Sequence, residues 1–460
     1  MNSFHQFQFV ASERVLGLQP ESGEEREMHY YVNDDSVSKL LGSALPPILA
    51  DLVEVAAAIH IADRLGVRER RAPEAWQRQF RVDIPVRCLA DWKRPEVAES
   101  LCNLLAFLTG DGWDIQFSSR PGRLRASESQ GHLFPIEAGE PIRVSLFSGG
   151  LDALAGTIAA IIQNPDDHIV CVSGSPNNRQ QHHQKAQVTR LRDLPHRSMT
   201  HIRVPCWLES GSEVLQEPTR RTRGFLFVAL GAVAALSAGV DRLCLYENGI
   251  GAINLPYERI PVGVPNSRSV HPSTLILIAR FVQAVTGRAF SVENPCVFET
   301  KAEMCLHPAV QELASTVAET FSCDGFPVQR SRRPQCGICT SCILRRLSLH
   351  AAGLGRFDNA GYACDLYETQ QTISSRRLRG LAAMDWQAER FLQALNNGGG
   401  WADLMREFPE LRQVCVGLTT LTGESAEAVQ DRLVRMYLRH VQEWKAFPPR
   451  QLLLAQRKAA

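Results

Sequence analysis

The 460-residue sequence lacks an excess of charge of either sign and a long apolar run. Its 50 Lys and Arg residues nearly balance 49 Asp and Glu residues, so the net charge is +1. No overall electrostatic attraction to nucleic acid or to anionic lipid is expected, and no basic stripe with interleaved aromatic residues favours direct nucleic-acid binding. The longest uncharged apolar stretch, residues 224–240, is too short for a membrane span and predicts a buried helix.

The sequence also lacks the cationic start and apolar run that are typical of a signal peptide. Its 13 cysteines are an odd number at low density, which argues against a disulfide framework. We therefore expect a cytoplasmic protein with reduced thiols and without contact to a membrane. The sequence does not fix the oligomeric state, and an oligomer is compatible with it.

Apolar runs of strand length alternate with helical stretches between residues 141 and 350, which is typical of a doubly wound, mostly parallel α/β sheet. Before this domain, residues 1–140 predict an α+β accessory region. After it, residues 351–460 predict a helical region, broken by the glycines of residues 396–400 and ending in a helix at 425–446. The other predicted helices are 48–67, 95–108, 153–163, 181–191, 222–238 and 272–286, and the predicted strands are 80–86, 114–118, 142–147, 168–172, 201–206, 242–246 and 290–292.

A glycine-rich turn, Ser148-Gly149-Gly150-Leu151-Asp152, follows the first strand of the α/β domain and opens a helix. Its glycines let backbone N–H groups approach an anion at a helix N-terminus, and Ser148 adds a hydroxyl donor. A carboxylate at Asp152 beside an anion indicates an intervening divalent cation such as Mg²⁺. The turn lacks the Gly-Lys-Ser/Thr ending of a P-loop, and a strand-to-helix turn without a ligand is the alternative.

Two residues directly after a predicted strand are candidates for substrate binding. Glu247 can accept from ring and exocyclic N–H groups of a guanine-like base, and Asn248 can read its carbonyl. Asn254 is a further candidate of the same kind. The alternative is a polar turn, because Asn248-Gly249 is itself a turn signal.

Two cations stand at the starts of predicted helices in the same domain. Lys301 opens a helix after a strand and a loop, where an ammonium group can neutralise charge on a transferring phosphate. Arg223 begins an otherwise apolar helix, as a phosphate contact or as an anchor of the preceding loop. For Lys301 the alternative is an ordinary exposed lysine.

Four cysteines, Cys323, Cys336, Cys339 and Cys342, have the spacing of a tetrahedral metal site within residues 323–342. Because protein thiolates fill all four positions, the ion would be a structural Zn²⁺. An iron–sulfur cluster and unligated buried thiols are the alternatives, and Cys364 is a possible replacement for Cys323. The neighbouring Arg345 and Arg346 predict either a solvated basic face or a guanidinium pair near a phosphate.

Together and in this order, three motifs resemble the 7-cyano-7-deazaguanine synthase family, QueC, within the PP-loop ATP pyrophosphatase superfamily. They are the turn at 148–152, the stretch Thr300-Lys-Ala-Glu-Met304, and the cysteine quartet followed by Ile-Leu-Arg-Arg. The stretch Arg223-Gly-Phe-Leu-Phe227 is similar to Arg-Asn-x-x-Phe of that family. Ala153 stands where the superfamily has Ser, and Gly224 stands where the family has Asn. The resemblance covers residues 141–350, under half of the chain.

The resemblance implies a PP-loop (HUP-like) fold with a zinc knuckle and ATP-dependent adenylation of 7-carboxy-7-deazaguanine. ATP and Mg²⁺ would be held by residues 148–152. Asp152, Lys301 and Arg223 would act in catalysis, and Glu247, Asn248 and Asn254 would bind the 7-deazaguanine substrate. The activated carboxylate is then open to attack by an amine, as in a C–N ligase.

The amino-terminal region, with its acidic helix at 51–63 and the stretch Phe107-Leu-Thr-Gly-Asp111, looks like the QueC-like proteins of bacterial anti-phage defence islands. Those occur in the Qat type and in type IV CBASS. This likeness implies a defence role and an amine that belongs to the N-terminus of a partner protein. A nitrile-forming synthase that uses ammonia is one alternative. A nucleotide- or deazaguanine-binding subunit without turnover is another, which Ala153 keeps open.

Overall fold

A ten-stranded sheet organises the computed structural model. The structure describes residues 3–10, 15–18, 26–40, 44–68, 77–120, 128, 141–175, 178–194, 198–209, 216–217, 221–257, 267–325, 333–359, 361–367, 375–451 and 453. The spatial order of the strands is β10-β9-β6-β7-β8-β3-β2-β1-β4-β5. In chain order they are β1 (Ser3–Val10), β2 (Val15–Leu18), β3 (Arg26–Val32), β4 (Arg78–Val86), β5 (Gly112–Ser119), β6 (Ile142–Leu146), β7 (His168–Ser175), β8 (Met199–Glu209), β9 (Arg242–Cys244) and β10 (Ser291–Glu293).

Five neighbouring strands, from β10 to β8, are all parallel. Helices cover both faces of such a sheet, so its strands carry buried apolar residues at their centres: Val144, Val170 and Ile202 are each 1% exposed or less. The predicted α/β class with a mostly parallel sheet is confirmed. The predicted strands recur within a few residues, with β8 longer and β9 shorter than expected.

The remaining strands extend this sheet into the amino-terminal region. β1 is parallel to β4, which is parallel to β5, whereas β2 and β3 run antiparallel to their neighbours. β3 pairs with β8, with Tyr31 opposite Trp207, and so joins the two parts into one sheet. β4 and β5 were predicted from the sequence, and β1 to β3 were not. The predicted boundary at residue 140 falls within this continuous sheet, and the division into three domains stays a prediction.

The helices of the amino-terminal and α/β parts flank the sheet. The helix over residues 221–237 is buried along most of its length and packs on the helix over 47–65. Within the described residues, no helix has the combination of length and apolar character that crossing a membrane requires. In chain order these helices are α1 (Pro47–Leu65), α2 (Leu89–Trp92), α3 (Pro95–Thr109), α4 (Leu151–Gln163), α5 (Asn178–Arg192), α6 (Arg221–Ser237), α7 (Gly249–Ile253), α8 (Pro272–Thr286), α9 (Lys301–Leu306) and α10 (Pro308–Glu312).

The carboxy-terminal part is helical, as predicted, and the break at residues 396–400 separates two of its helices. Its apolar core also takes in Ile250, Ile253, Val297 and Phe298 from the segments that follow β9 and β10. The helical part therefore packs directly on elements of the α/β sheet. Its helices are α11 (Thr340–Ala351), α12 (Ser375–Leu395), α13 (Trp401–Glu407), α14 (Leu411–Thr422) and α15 (Ala426–Ala446).

Candidate functional site

A cavity of about 350 Å³ opens at the carboxyl ends of β6, β7 and β9. This is the edge of a parallel sheet where ligands bind, because several strand ends and helix starts converge there. Its lining combines apolar side chains such as Phe147 and Phe227 with the charged groups of Asp152, Arg223 and Lys301. An apolar surface with a few convergent polar groups is typical of a small-molecule site.

The predicted glycine-rich turn forms one wall of the cavity, between β6 and α4. Gly149 has φ +82°, a backbone conformation that residues with a Cβ rarely adopt. The Ser148 hydroxyl accepts a hydrogen bond from the Gly150 N–H at 3.1 Å. Asp152 lies in the first turn of α4, so its carboxylate and the helix N-terminus face the same region. The strand–turn–helix context of the turn is present, and its role in anion binding stays a prediction.

Glutamines of α5, which the sequence reasoning did not single out, hold this turn in place. Gln184 donates to the Ser148 carbonyl at 3.0 Å, and Gln187 donates to the Gly149 carbonyl at 3.1 Å. Because α5 binds both carbonyls, these hydrogen bonds fix the backbone conformation of the turn at the cavity wall. With Gln180, these residues have the i, i+4, i+7 spacing of one helix face, the only sequence signal that indicates a shared role.

Asp152 and Lys301 form an ion pair at the cavity, with Oδ2 3.0 Å from Nζ. Both side chains are nearly buried, at 6% and 7% exposed, so Lys301 is not the exposed lysine of the alternative interpretation. Burial alone would raise the pKa of Asp152, but the Lys301 ammonium, together with hydrogen bonds from Glu247, Lys301 and Asn248, lowers it. Asp152 is therefore ionised. Its other oxygen, Oδ1, accepts no amide, ammonium or alcohol donor from the described part of the chain.

Glu247 contributes a second carboxyl group to the same cluster. Burial raises its pKa well above the ordinary value, and the charge of Asp152 and a hydrogen bond to that carboxylate raise it further. Within the pair, the proton is therefore favoured on Glu247, and Asp152 is the ionised member. Such a pair can exchange a proton with a ligand bound in the cavity, because Glu247 lines it.

Asn248 is fully buried and organises the two carboxyl groups. Its Nδ2 donates to Asp152 Oδ2 and to Glu247 Oε1, both at 2.9 Å, and its Oδ1 accepts from the Gly251 N–H and caps α7. Both amide hydrogens are thus used within the protein. The structure places Asn248 behind the cavity lining, where it orients Asp152 and Glu247.

Asn254 lies at the other end of α7. It caps that helix with φ +48°, and its amide donates to the Ser267 carbonyl at 2.9 Å. The structure does not bring Asn254 into the cavity lining with Glu247. His271 caps the start of α8, where its Nδ1 accepts a hydrogen bond from the Ser273 N–H.

Arg223 lines the cavity from the first turn of α6. Its guanidinium lies 6.0 Å from the centre of the Phe227 ring. The preceding residue, Thr222, donates its hydroxyl to Asp63 of α1 at 2.8 Å, which ties this helix start to the amino-terminal region. A Cβ on Gly224 would meet Ser269 at 2.4 Å, so the larger side chain of the family pattern has no room here.

Ala153, the other departure from the family pattern, also lines the cavity and is 5% exposed. A hydroxyl group at this position is therefore absent from the wall that carries Asp152. The wall keeps the Ser148 hydroxyl and the N–H groups of the turn as donors.

The four predicted cysteines come together as one metal-ligating group. The Sγ atoms of Cys323, Cys336, Cys339 and Cys342 all lie within 4.8 Å of one another, and two of them are 3.9 Å apart. A tetrahedral zinc ion with Zn–S bonds of about 2.3 Å holds its sulfurs about 3.8 Å apart, which fits this group. Cys364 lies beside the group, its N–H donating to the Cys336 carbonyl, and is not a member of it.

This cysteine group forms part of the cavity wall, since Cys323, Asp324 and Ser341 line it. The two arginines that follow the cysteines, Arg345 and Arg346, are buried and bind other parts of the protein. Arg345 is fully buried, where Asp358, the Thr320 hydroxyl and the Val317 carbonyl accept its hydrogen bonds. Arg346 pairs with Asp365 and stacks on two tyrosine rings. Neither interpretation of these two residues, as a solvated face or as a phosphate contact, describes them.

Comparison with known proteins shows similarity to a synthase. The chain is similar to 7-cyano-7-deazaguanine synthase of Synechococcus sp. (strain CC9902), with 24% identity over 229 residues. The match covers 93% of that synthase and 46% of this chain. No family model matches the chain. A synthase fits almost whole onto under half of this protein, in agreement with the resemblance seen in the motifs.

Proposed function

We propose that this protein is a cytoplasmic PP-loop enzyme that adenylates 7-carboxy-7-deazaguanine and transfers the acyl group to an amine. The carrying observation is the Asp152–Lys301 pair at the glycine-rich turn, in a cavity beside Glu247 and the cysteine group. The similarity to a 7-cyano-7-deazaguanine synthase supports the substrate class.

In the first step, a carboxylate oxygen of the substrate attacks the α-phosphorus of ATP, and pyrophosphate leaves. The N–H groups of the turn and the Lys301 ammonium stabilise the negative charge on the transferring phosphate. Asp152 fits a Mg²⁺ ion, because carboxylate oxygens are preferred ligands and its buried Oδ1 has no amide, ammonium or alcohol donor among the described residues. Bound Mg²⁺ would neutralise phosphate charge. Arg223 is placed to contact the nucleotide from another wall of the cavity.

In the second step, the amine nitrogen attacks the acyl carbon, AMP leaves, and the amine loses one proton. Glu247 lines this end of the cavity and can exchange a proton with the bound ligand. We propose that the amine is the N-terminus of a partner protein in an anti-phage defence system. More than half of this chain lies outside the match to the synthase, which supports an acceptor larger than ammonia.

The second candidate is a nitrile-forming synthase. It is favoured because the match covers 93% of the 7-cyano-7-deazaguanine synthase. In that reaction ammonia is the amine. A second ATP adenylates the amide oxygen, and loss of AMP with two N–H protons leaves the nitrile. The same cavity residues would serve both reactions, so the acceptor decides between them.

The acceptor is tested by incubating the full chain with 7-carboxy-7-deazaguanine, ATP and Mg²⁺, with either ammonium chloride or proteins co-purified from the native host. Intact-mass and N-terminal peptide analysis should show one added acyl group on a co-purified protein, and none with Asp152→Asn. Free nitrile with ammonium, and no protein adduct, would instead establish the synthase. Nucleotide binding without either product would indicate a binding subunit, and Ala153→Ser then tests whether the missing hydroxyl is the reason.

A further inference from the structure

The last long helix of the chain, α15, contacts both segments that carry the charged groups of the cavity. Glu443 of α15 accepts a hydrogen bond from the Thr300 hydroxyl, and Thr300 directly precedes Lys301. Met436 of the same helix lies against Gly249, which directly follows Asn248. The helix α15 of the carboxy-terminal part thus packs against the two segments that carry Lys301 and Asn248.

Thr300 has two roles at the start of α9. Its hydroxyl oxygen accepts from the Glu303 N–H at 3.1 Å, while Glu303 accepts from the Thr300 N–H at 2.9 Å, a reciprocal capping box. The remaining hydroxyl hydrogen goes to Glu443 Oε1 at 2.6 Å. Thr300 is 1% exposed and Glu443 is 7% exposed, so water cannot readily replace this bond.

The contact between Met436 and Gly249 leaves no room for a side chain. A Cβ on Gly249 would lie 2.2 Å from Met436 Sδ and 2.2 Å from the Val297 carbonyl. The Gly249 N–H donates to the Glu299 carbonyl at 2.8 Å, next to Thr300. The segment at Gly249 and the segment at Thr300 therefore contact each other and also contact α15. Their relative position depends on that helix.

We propose that Glu443 is a positioning residue, which holds the start of α9 through Thr300 and so fixes the Lys301 ammonium on Asp152. The inference rests on the proposed function only for the chemical use of Lys301. The positioning of Lys301 by Glu443 is a property of the protein without ligand. It can therefore be tested without substrate.

The test measures the rate at which acetic anhydride labels Lys301, relative to the exposed Lys185, by peptide mass spectrometry. Glu443→Met should raise the relative rate about fivefold, as loss of one buried hydrogen bond implies. Glu443→Gln keeps an acceptor for the Thr300 hydroxyl and should label like the native protein. Thr300→Val should reproduce the change, and Thr300→Ser should restore the native rate.

Asp385→Asn is the matched control, because it removes a buried carboxylate that supports the same helix away from the cavity. Asp385 Oδ1 accepts from Trp444 Nε1 and Arg450 Nε, both at 2.9 Å. This variant should lower the melting temperature without changing the labelling of Lys301. Native labelling in Glu443→Met, or an equal increase in Asp385→Asn, would overturn the proposal. A failure of ATP to bind would contradict the proposed function alone.

Discussion

Replacing Lys301 by Met removes the cation of the buried pair while keeping a side chain of similar length. Asp152 is 6% exposed and loses a partner 3.0 Å away, so its charge is left with hydrogen bonds from the Asn248 amide and the Glu247 carboxyl group. Breaking a buried pair in this way costs about 3–5 kcal/mol. At pH 7 the loss of unfolding free energy cannot exceed about 4 kcal/mol. That is the cost of protonating an aspartate about three pH units above its ordinary pKa, which removes the buried charge. We expect Lys301→Met to lower the free energy of unfolding by about 3–4 kcal/mol.

Asp152→Asn should cost less than the lysine change, although it breaks the same pair. The charge of Asp152 is one cause of the raised pKa of Glu247, and without that charge the pKa falls. We expect Glu247 then to ionise beside Lys301, whose ammonium already lowers the pKa of Glu247. We expect a loss of about 1–2 kcal/mol, close to that of one buried hydrogen bond to a charged group.

The effect of pH separates this explanation from a simple packing defect. In Lys301→Met the folded-state pKa of Asp152 is raised above its unfolded value, so destabilisation is full at high pH. It shrinks as the pH falls toward the unfolded value of about 4. Urea unfolding followed by tryptophan fluorescence at pH 7.5 and pH 5.5 measures it. A pH-independent loss, or a loss no larger than in the exposed control Lys185→Met, would refute the reasoning.

Three further predictions concern other parts of the molecule. The protein should contain one zinc ion per chain by metal analysis, lost in Cys339→Ser and kept in Cys364→Ser; equal loss in both variants would contradict the four-cysteine group. Burial lowers the pKa of His440 to about 4, so the folded state is stabilised by neutral His440 and loses that stability as the pH falls from about 6.5. Between pH 7.5 and pH 5, the free energy of unfolding of His440→Leu, measured in urea, should therefore fall by about 2 kcal/mol less than that of the native protein. An unchanged pH dependence would exclude His440 as a cause of the acid destabilisation. Gly249→Ala should destabilise by about 1–3 kcal/mol and weaken ATP binding, because its Cβ meets Met436 and a carbonyl, whereas Gly355→Ala, with open space around its Cβ, should leave ATP binding unchanged.

The elements of the α/β part follow closely from local patterns in the sequence. Its strands are rich in apolar residues because both faces are covered, and several of its helices begin at capping residues or prolines such as Pro272. The first three strands were not predicted, and only part of their pairing is local: β1 pairs with β2 and β2 with β3, but β1 also pairs with the distant β4. β3 finds its partner in β8, about 170 residues further along the chain, and no periodicity in residues 26–32 indicates that partner.

The site was predictable where one short segment carries the chemistry. The turn at 148–152 and the cysteine quartet have fixed spacings, and the structure builds both as compact units. The role of Asn248 was not predictable, since its partner Asp152 lies 96 residues away. The polar face of α5 resembles an ordinary solvated face until the carbonyls that its glutamines bind are known.

The central claim, that this cavity activates a carboxylate by adenylation, is tested most directly by pyrophosphate–ATP exchange. Labelled pyrophosphate is incubated with the full chain, ATP and Mg²⁺, with and without 7-carboxy-7-deazaguanine. The account predicts label in ATP only when the deazaguanine carboxylate is present, and none with Asp152→Asn. Production of ADP, or exchange that is independent of the carboxylate, would contradict it.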